Sequence, residues 1–283
     1  MIHLVTDSTA YLPPEIKAQY NVHTISLKIC VGDQTYDEEG GITQEAFIDL
    51  LATVETAPST SQPSVGEFIN LFESLTRDGD EVVAAFISEG LSGTVPNARS
   101  AAREVAPDQI SIVDSRTTAA GLMVMTISAG EAIAAGWDRS QVVALLERKV
   151  TEGETIFMVE DLAYLHKGGR INTASRLVGT LLNIKPILYL LDGKIDVLDK
   201  ARSSKRAKRR ILDEMVQRMA GRPVRVGVMH ILAKESAQEL AAAARESLNI
   251  VSLHTSQVSP AIGSHVGPGV VGMYACPVGP DGF

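Results

Sequence analysis

From Ile2 to Gly153, short apolar runs alternate with amphipathic segments, and this alternation limits the chain to few folds. IHLVTDS is followed by LPPEIKAQY, and VHTISLKICVG by TQEAFIDLLATV and VGEFINLFESLTRDG. EVVAAFI is followed by VPNARSAAREVA, and QISIVDS by a helix starting near Thr118 and by DRSQVVALLERKVTEG. Apolar strands alternating with helices predict a mostly parallel sheet covered on both faces. Local signals agree. Prolines open the first helix, and Thr43, with Glu45 following, caps the second. LVTDST and IVDSRT both end an apolar strand on Asp-Ser ahead of a helix, where these side chains suit capping of backbone N–H groups.

The second half follows another pattern. TIFMVED reads as a strand, and LAYLHKGGRINTASRLVGTLLNI as helical, broken near Gly168-Gly169. In KPILYLLDGKIDVLDKAR, apolar runs flank Asp192-Gly193, a tight hairpin signal. SSKRAKRRILDEMVQRMAG is a basic amphipathic helix with a serine cap and a terminal glycine. VRVGVMHI, a helix at 236–247 and strands at 250–255 and about 270–275 complete the chain. Hairpins with helices predict an α+β second domain. The expected domains are residues 1–152 and 153–283.

With 283 residues, the chain is long enough for two ordinary domains. A net charge of −8 argues against general nucleic-acid binding, which draws on a positive field. Cys30 and Cys276 form no CxxC or metal-type spacing, so a reduced cytoplasmic protein is expected. No basic region leads into an apolar run at the N-terminus, so no secretory signal is read. The most apolar long stretch, Ala119 to Trp137, contains Thr126, Ser128 and Glu131 and reads as a buried helix, not a membrane span. His3, His23, His166, His230 and His254 are scattered, and neither metal nor cofactor is expected.

Five stretches have residues suited to chemistry. In PSTSQPSVGEF, Thr60 and Ser61 sit between stiffening prolines and Ser64 follows the second; the loop is either polar surface with Ser64 as a helix cap, or a rigid set of hydroxyl donors. In ISEGLSGTVPNA, Ser92 stands between glycines where a strand gives way to a helix, at the sheet edge that collects ligands. Helix N-termini there favour anions. No GK[ST] follows, and the glycine spacing is not that of a nucleophile elbow. Ser92 is left as a ligand donor or a plain cap. In SPAIGSHVGPGVVG, His265 lies among four glycines, a density that packing alone explains poorly; its imidazolium would pair with an acidic ligand. Arg170 follows Gly168-Gly169 and suits either a ligand contact or a helix break. The run Lys200, Arg202, Lys205, Arg206, Lys208, Arg209, Arg210 is a solvated face or a docking patch.

Eight pieces, VTDSTAYLP, TSQPSVGEF, ISEGLSGT, IVDSRT, LAYLHKGGRI, VGTLLNIKPIL, DGKI and GSHVGPG, resemble the DegV family in content and order, from residue 3 to about 275. The resemblance implies a two-domain fold, an N-terminal mostly parallel α/β domain and a C-terminal α+β domain with a fatty acid between them. It implies carboxylate binding by Thr60, Ser92 and His265. Ser61, Gly93, Thr94 and Gly263 are neighbours, and Arg170 lies near the head group. Some members look like the acyl-carrying subunit of bacterial fatty acid kinase, part of phospholipid metabolism. Such a protein is not itself an enzyme. It presents the fatty acid to an ATP-using kinase subunit, which contacts Arg202, and a transient membrane contact is compatible with that role. One residue departs from the family loop SSGLSGT: Glu89 replaces its second serine, and a carboxylate near the head group repels an ionised ligand unless it points away.

The implied ligand fits elementary energetics. A dozen buried methylenes contribute on the order of 10 kcal/mol, and each hydrogen bond to a charged group about 1.5–3 kcal/mol. The tail supplies most affinity and the polar groups set orientation. LMVMTISAGEAIAAGW and LVGTLLNIKPIL are candidate walls, with ordinary core as the commoner role. Two alternatives use the same residues: a small acyl hydrolase with Ser92 and His265, and a phosphate-ligand module built on the Ser92 loop.

Overall fold

The computed structural model describes residues 1–43, 46, 47, 49, 50, 58–160, 162–171 and 184–283. The first sheet is built from β1 (Ile2–Asp7), β2 (His23–Ile25), β6 (Glu81–Phe86) and β7 (Ile110–Asp114), in the order β2-β1-β6-β7. All neighbours are parallel, with Leu4 beside Val83 and Ala84 beside Ile112. Side chains alternate between faces. Val5, Val82, Ala84 and Phe86 pack against Phe68 and Phe72 of α2 (Val65–Thr76) and Ala98 and Ala101 of α3 (Thr94–Val105). Leu4, Val83 and Ala85 face the other way, into a cluster with α4 (Ala120–Ala134) and α5 (Arg139–Glu152). The near-continuous apolar runs follow from burial on both sides. Before the first sheet's second strand, α1 (Pro14–Gln19) opens with Pro14 behind Pro13.

The second sheet has six strands. They are β8 (Glu154–Met158), β9 (Lys185–Leu191), β10 (Lys194–Ala201), β11 (Val224–His230), β12 (Ile250–Gln257) and β13 (Val271–Pro277), ordered β10-β9-β8-β13-β11-β12. Only β11 and β12 run parallel. The β9–β10 hairpin turns at Asp192 and Gly193, both at positive φ (47° and 75°), as a primed two-residue turn requires. Helices α7 (Ser204–Met219) and α8 (Lys234–Ser247) cover one face through Ile211, Met215 and Leu240. The Ser203 side chain caps α7 by accepting from the Arg206 N–H.

α4 lies between the two sheets. Leu122, Met123 and Met125 are fully buried, and they share one core cluster with Leu4 and Val83 of the first sheet and Phe157, Leu188 and Tyr274 of the second. Gly227 on β11 permits this approach: a Cβ there would stand 2.8 Å from the Ala120 carbonyl oxygen. Two short helices complete the description, α6 (Ala163–Lys167) and α9 (Pro260–Val266).

Three readings of the sequence need correction. VHTISLKICVG is two strands, not one: β2 joins the parallel sheet and β3 (Lys28–Val31) leaves it. Between them Ser26 Oγ donates to the Leu27 carbonyl and accepts from the Glu39 N–H, both at 2.9 Å, local bonding that competes with a ladder. β3 pairs antiparallel with β4 (Gln34–Asp37) and β5 (Ser59–Ser61), so the Thr60 segment is a strand and not a loop. The glycine-rich SPAIGSHV forms α9, with Ser259 as N-cap and Pro260 in the first turn. The expected helix TQEAFIDLLATV lies largely outside the described residues. Thr43 does accept from the Ala46 N–H at 3.1 Å. Residues 172–183 lie outside them too, including most of the LVGTLLNI wall.

Candidate functional site

A cavity lined by residues of both halves of the chain opens between the two sheets. Apolar side chains dominate its lining: Leu27, Ile87 and Leu91 from the first half, Phe157, Leu190, Ile195 and Met229 from the second sheet, and Ile262 and Val266 from α9. The polar members of the lining are Thr60, Gln62, Ser92, Arg170 and His265, with Thr118 and Thr155. The methionines and leucines of α4 are core, as the commoner reading has it. From the LMVMTISAGEAIAAGW helix none line the cavity, which takes only Thr118 and Ala119 just before it.

Each polar residue has a structural reason to be there. β5 pairs with β3 so that Thr60 sits opposite Ile29, and its hydroxyl lies 2.7 Å from His265 Nε2. α9 carries His265 across from the second half. Gly168, at the end of α6, packs against the histidine ring: a Cβ there would be 2.3 Å from Nδ1. Arg170 then turns back, donating from Nε to the Leu91 carbonyl at 3.2 Å and from Nη1 to the Gly168 carbonyl at 2.6 Å. It fastens the end of α6 to the Ser92 loop.

Burial, with the nearby Arg170 charge, pushes His265 down to about 4. The ring is therefore neutral near pH 7, which corrects the expectation of an imidazolium partner for an acidic ligand. Nδ1 is buried and has no hydrogen-bond partner among the described residues.

Ser92 is not the cap of α3. That position is Gly93, and no side-chain cap bond is made there. Ser92 Oγ lies 2.8 Å from Thr94 Oγ1 and 3.4 Å from the Thr94 N–H. Among the described residues it makes no hydrogen bond to His265, and His265 has no carboxylate behind it. A hydrolase triad needs both links.

The Asp-Ser pairs hold the loop in place. Asp7 accepts from the Ile87 N–H at 2.6 Å, and Asp114 accepts from the Glu89 N–H at 3.1 Å. Asp7 also accepts from Thr9 through both its N–H (2.9 Å) and its hydroxyl (2.6 Å). Glu89 itself is exposed and pairs with Arg99 at 2.8 Å; it does not line the cavity. The hairpin tip closes the loop from the other side, where Ser88 donates to the Gly193 carbonyl at 2.7 Å.

The other expected residues are placed as follows. Ser61 is exposed, Thr94 is buried beneath Ser92, Gly93 packs on the Gln62 amide, and Gly263 faces Phe47 within α9. None of these four lines the cavity. Arg202 is exposed between β10 and α7 and has no hydrogen bond or ion pair among the described residues. Later in the same basic run, Lys208 pairs with Glu239, and Arg210 with Asp199 (2.8 Å) and Glu214 (2.6 Å). No group of three metal-ligating side chains and no membrane-crossing helix occurs among the described residues.

Comparison with known proteins points one way. The profile of the DegV family, described as uncharacterised proteins, matches residues 1–278. A DegV domain-containing protein of Clostridium perfringens is 36% identical over 277 residues, covering 96% of this chain and 97% of its own. Protein DegV of Bacillus subtilis is 33% identical over 279 residues, covering 97% and 99%. A solved DegV family structure from Thermus thermophilus, described by its fatty acid binding, superposes with a TM-score of 0.91 at 32% identity over 98% of this chain and 99% of that one. A fatty-acid-binding DegV family protein from Streptococcus agalactiae does so with 0.90 at 29% identity, over 98% and 99%.

Proposed function

This chain belongs to the DegV family, and on that premise we propose that it binds a long-chain fatty acid in the cavity between its sheets, with the carboxylate at Thr60, Ser92 and His265. The observation that carries this reading is the Thr60–His265 bond of 2.7 Å beside an otherwise apolar cavity. A carboxylate only accepts hydrogen bonds. Thr60 must therefore donate its proton to the ligand, and its oxygen accepts from Nε2–H of His265. That chain requires the proton on Nε2, which the neutral ring, pushed down to about 4, carries in its Nε2–H tautomer. Ser92 donates from the opposite loop. Relatives described as fatty-acid-binding from Thermus thermophilus and Bacillus subtilis, each 32% identical, support the ligand class.

In this reading the two domains, 1–152 and 153–283, clasp the acyl chain, and the protein acts in the cytoplasm as the substrate-carrying partner of an ATP-using fatty acid kinase subunit. Arg202, exposed beside the hairpin, is the docking contact. Chemistry on the carboxylate belongs to the partner; this chain holds the tail away from water and orients the reacting oxygen. The test is mass spectrometry of lipid extracted from protein produced in bacteria. Stoichiometric fatty acid is expected, and lipid-free protein after mild purification overturns the reading.

A further inference from the structure

We propose that Glu38 is a positioning residue for the head-group site, acting from the N-terminal half on the helix that carries His265. The inference rests on the fatty-acid reading of the cavity. Glu38 stands in the run Asp37-Glu38-Glu39, a composition that belongs in solvent, yet it is only 4% exposed.

Three chain segments meet at this residue. Its backbone N–H donates to the Leu27 carbonyl at 2.9 Å. Its Oε2 accepts from the Ser8 hydroxyl, whose oxygen in turn accepts from the Leu27 N–H at 2.9 Å. Its Oε1 accepts from the Ala261 N–H at 2.5 Å, and the Ser259 hydroxyl donates to the same carboxyl group. Leu27 and Ala261 both line the lipid cavity, whereas Glu38 faces a separate, wider cleft together with Asp7 and Ser8.

α9 is too short to hold its own direction, since isolated helices of this length are marginal. Its start is fixed by Ser259 and Glu38. Its end is fixed by Gly267, at φ 74°, which packs against the Tyr164 ring. His265 lies between these points. Removing the Glu38 acceptor leaves the buried Ala261 N–H at the start of the helix without its partner, and the Ser8 and Ser259 hydroxyls without theirs, a cost that favours a shifted helix. A shift of α9 separates His265 from Thr60.

Asp7 is the other titratable group facing Glu38, and the Lys17–Glu39 ion pair stands at the cleft. Burial raises Glu38 to about 7. In either protonation state at least one oxygen is free to accept from Ala261, so the positioning role does not require the charge.

The test compares a sixteen-carbon fatty acid with the alcohol of the same length, because the alcohol shares the tail and lacks the carboxylate. Wild type, Glu38→Ala, Glu38→Asp and Glu38→Gln are titrated with each. Glu38→Ala, and Glu38→Asp with its shorter reach, should bind the acid about ten-fold more weakly and the alcohol about as wild type does, since the loss is that of a hydrogen bond to a charged group. Glu38→Gln keeps an acceptor for Ala261 and should restore the preference for the acid. Equal weakening toward acid and alcohol, or unchanged acid binding in both Ala and Asp variants, overturns the proposal. Wild-type protein that binds no fatty acid instead sinks the reading on which it rests, and this inference with it.

Discussion

The hydroxyl of Thr60 meets the imidazole of His265 at 2.7 Å across 205 residues of sequence. One comes from the three-stranded sheet of the first half and the other from a helix of the second half. Their bond therefore joins the two halves at the cavity wall. If the pair works as a chain, from histidine to threonine to ligand, then Thr60→Val and His265→Ala remove the same interaction. Each should weaken fatty acid binding about ten-fold, and the double variant should be little worse than either single. Titration with a fluorescent fatty acid decides it; additive losses mean that the two residues act separately.

Gly168 offers a test that leaves both of these side chains in place. Its φ of −75° suits any residue, so alanine does not strain the backbone. The added Cβ would nevertheless stand 2.3 Å from His265 Nδ1, and the ring must move. Gly168→Ala should match His265→Ala in binding while its melting temperature changes little. Wild-type affinity in that variant shows that the ring tolerates displacement.

Much of the fold was legible because burial leaves a period. The runs around Val5, Val83 and Ile112 announced the parallel sheet, and Asp192-Gly193 announced the β9–β10 hairpin of the second. Thr60 as part of a strand was not legible, because Ser59–Ser61 has no apolar alternation and is paired only through β3. α9 was hidden by its glycines, although Ser259-Pro260 is a helix-start signal that was there to be read. Ser92 and His265 were placed by motif, but their surroundings were not: a neutral histidine needs knowledge of burial and of Arg170. Glu38 had no signal at all, since three acidic residues in a row look like surface and only the tertiary fold buries the middle one.

Glu89, the residue that least suits an anionic guest, should prove silent. Its carboxylate is directed to Arg99 on the outside of α3, and both partners are well exposed. An exposed pair of this kind contributes little to stability. Glu89→Ser should leave fatty acid affinity within about two-fold of wild type, as expected for a screened charge. A clear gain in affinity would show that its field reaches the head group.

Arg202 tests whether carrying and delivering are separate. It lies on the surface between β10 and α7 and is not among the residues that line the cavity. Arg202→Glu should keep its lipid through purification yet slow acyl phosphate formation with the kinase subunit, since a rim charge acts chiefly on association. Loss of the bound lipid itself would count against a docking role.

The last expectation concerns pH and follows from the burial of Glu38. Desolvation is the largest influence on this group, and it outweighs the hydrogen bonds from Ser8, Ala261 and Ser259 to leave the pKa near 7 instead of 4.5. Between those two values the folded protein binds more protons at this site than the unfolded chain, so the site's contribution to stability falls as pH rises from about 4.5 to about 7. Glu38→Gln does not titrate. Its stability relative to wild type should therefore be constant at low pH, climb through that window, and level off above pH 7 at a gain of up to about 3 kcal/mol over its low-pH value. Urea midpoints of both proteins at pH 4, 6 and 8 measure the difference directly, and they cancel the contributions of groups such as Glu67, which hydrogen bonding holds down at about 2. A difference that does not change with pH would mean that Glu38 is solvated in the folded protein, which its burial between Ser8 and Ala261 rules against.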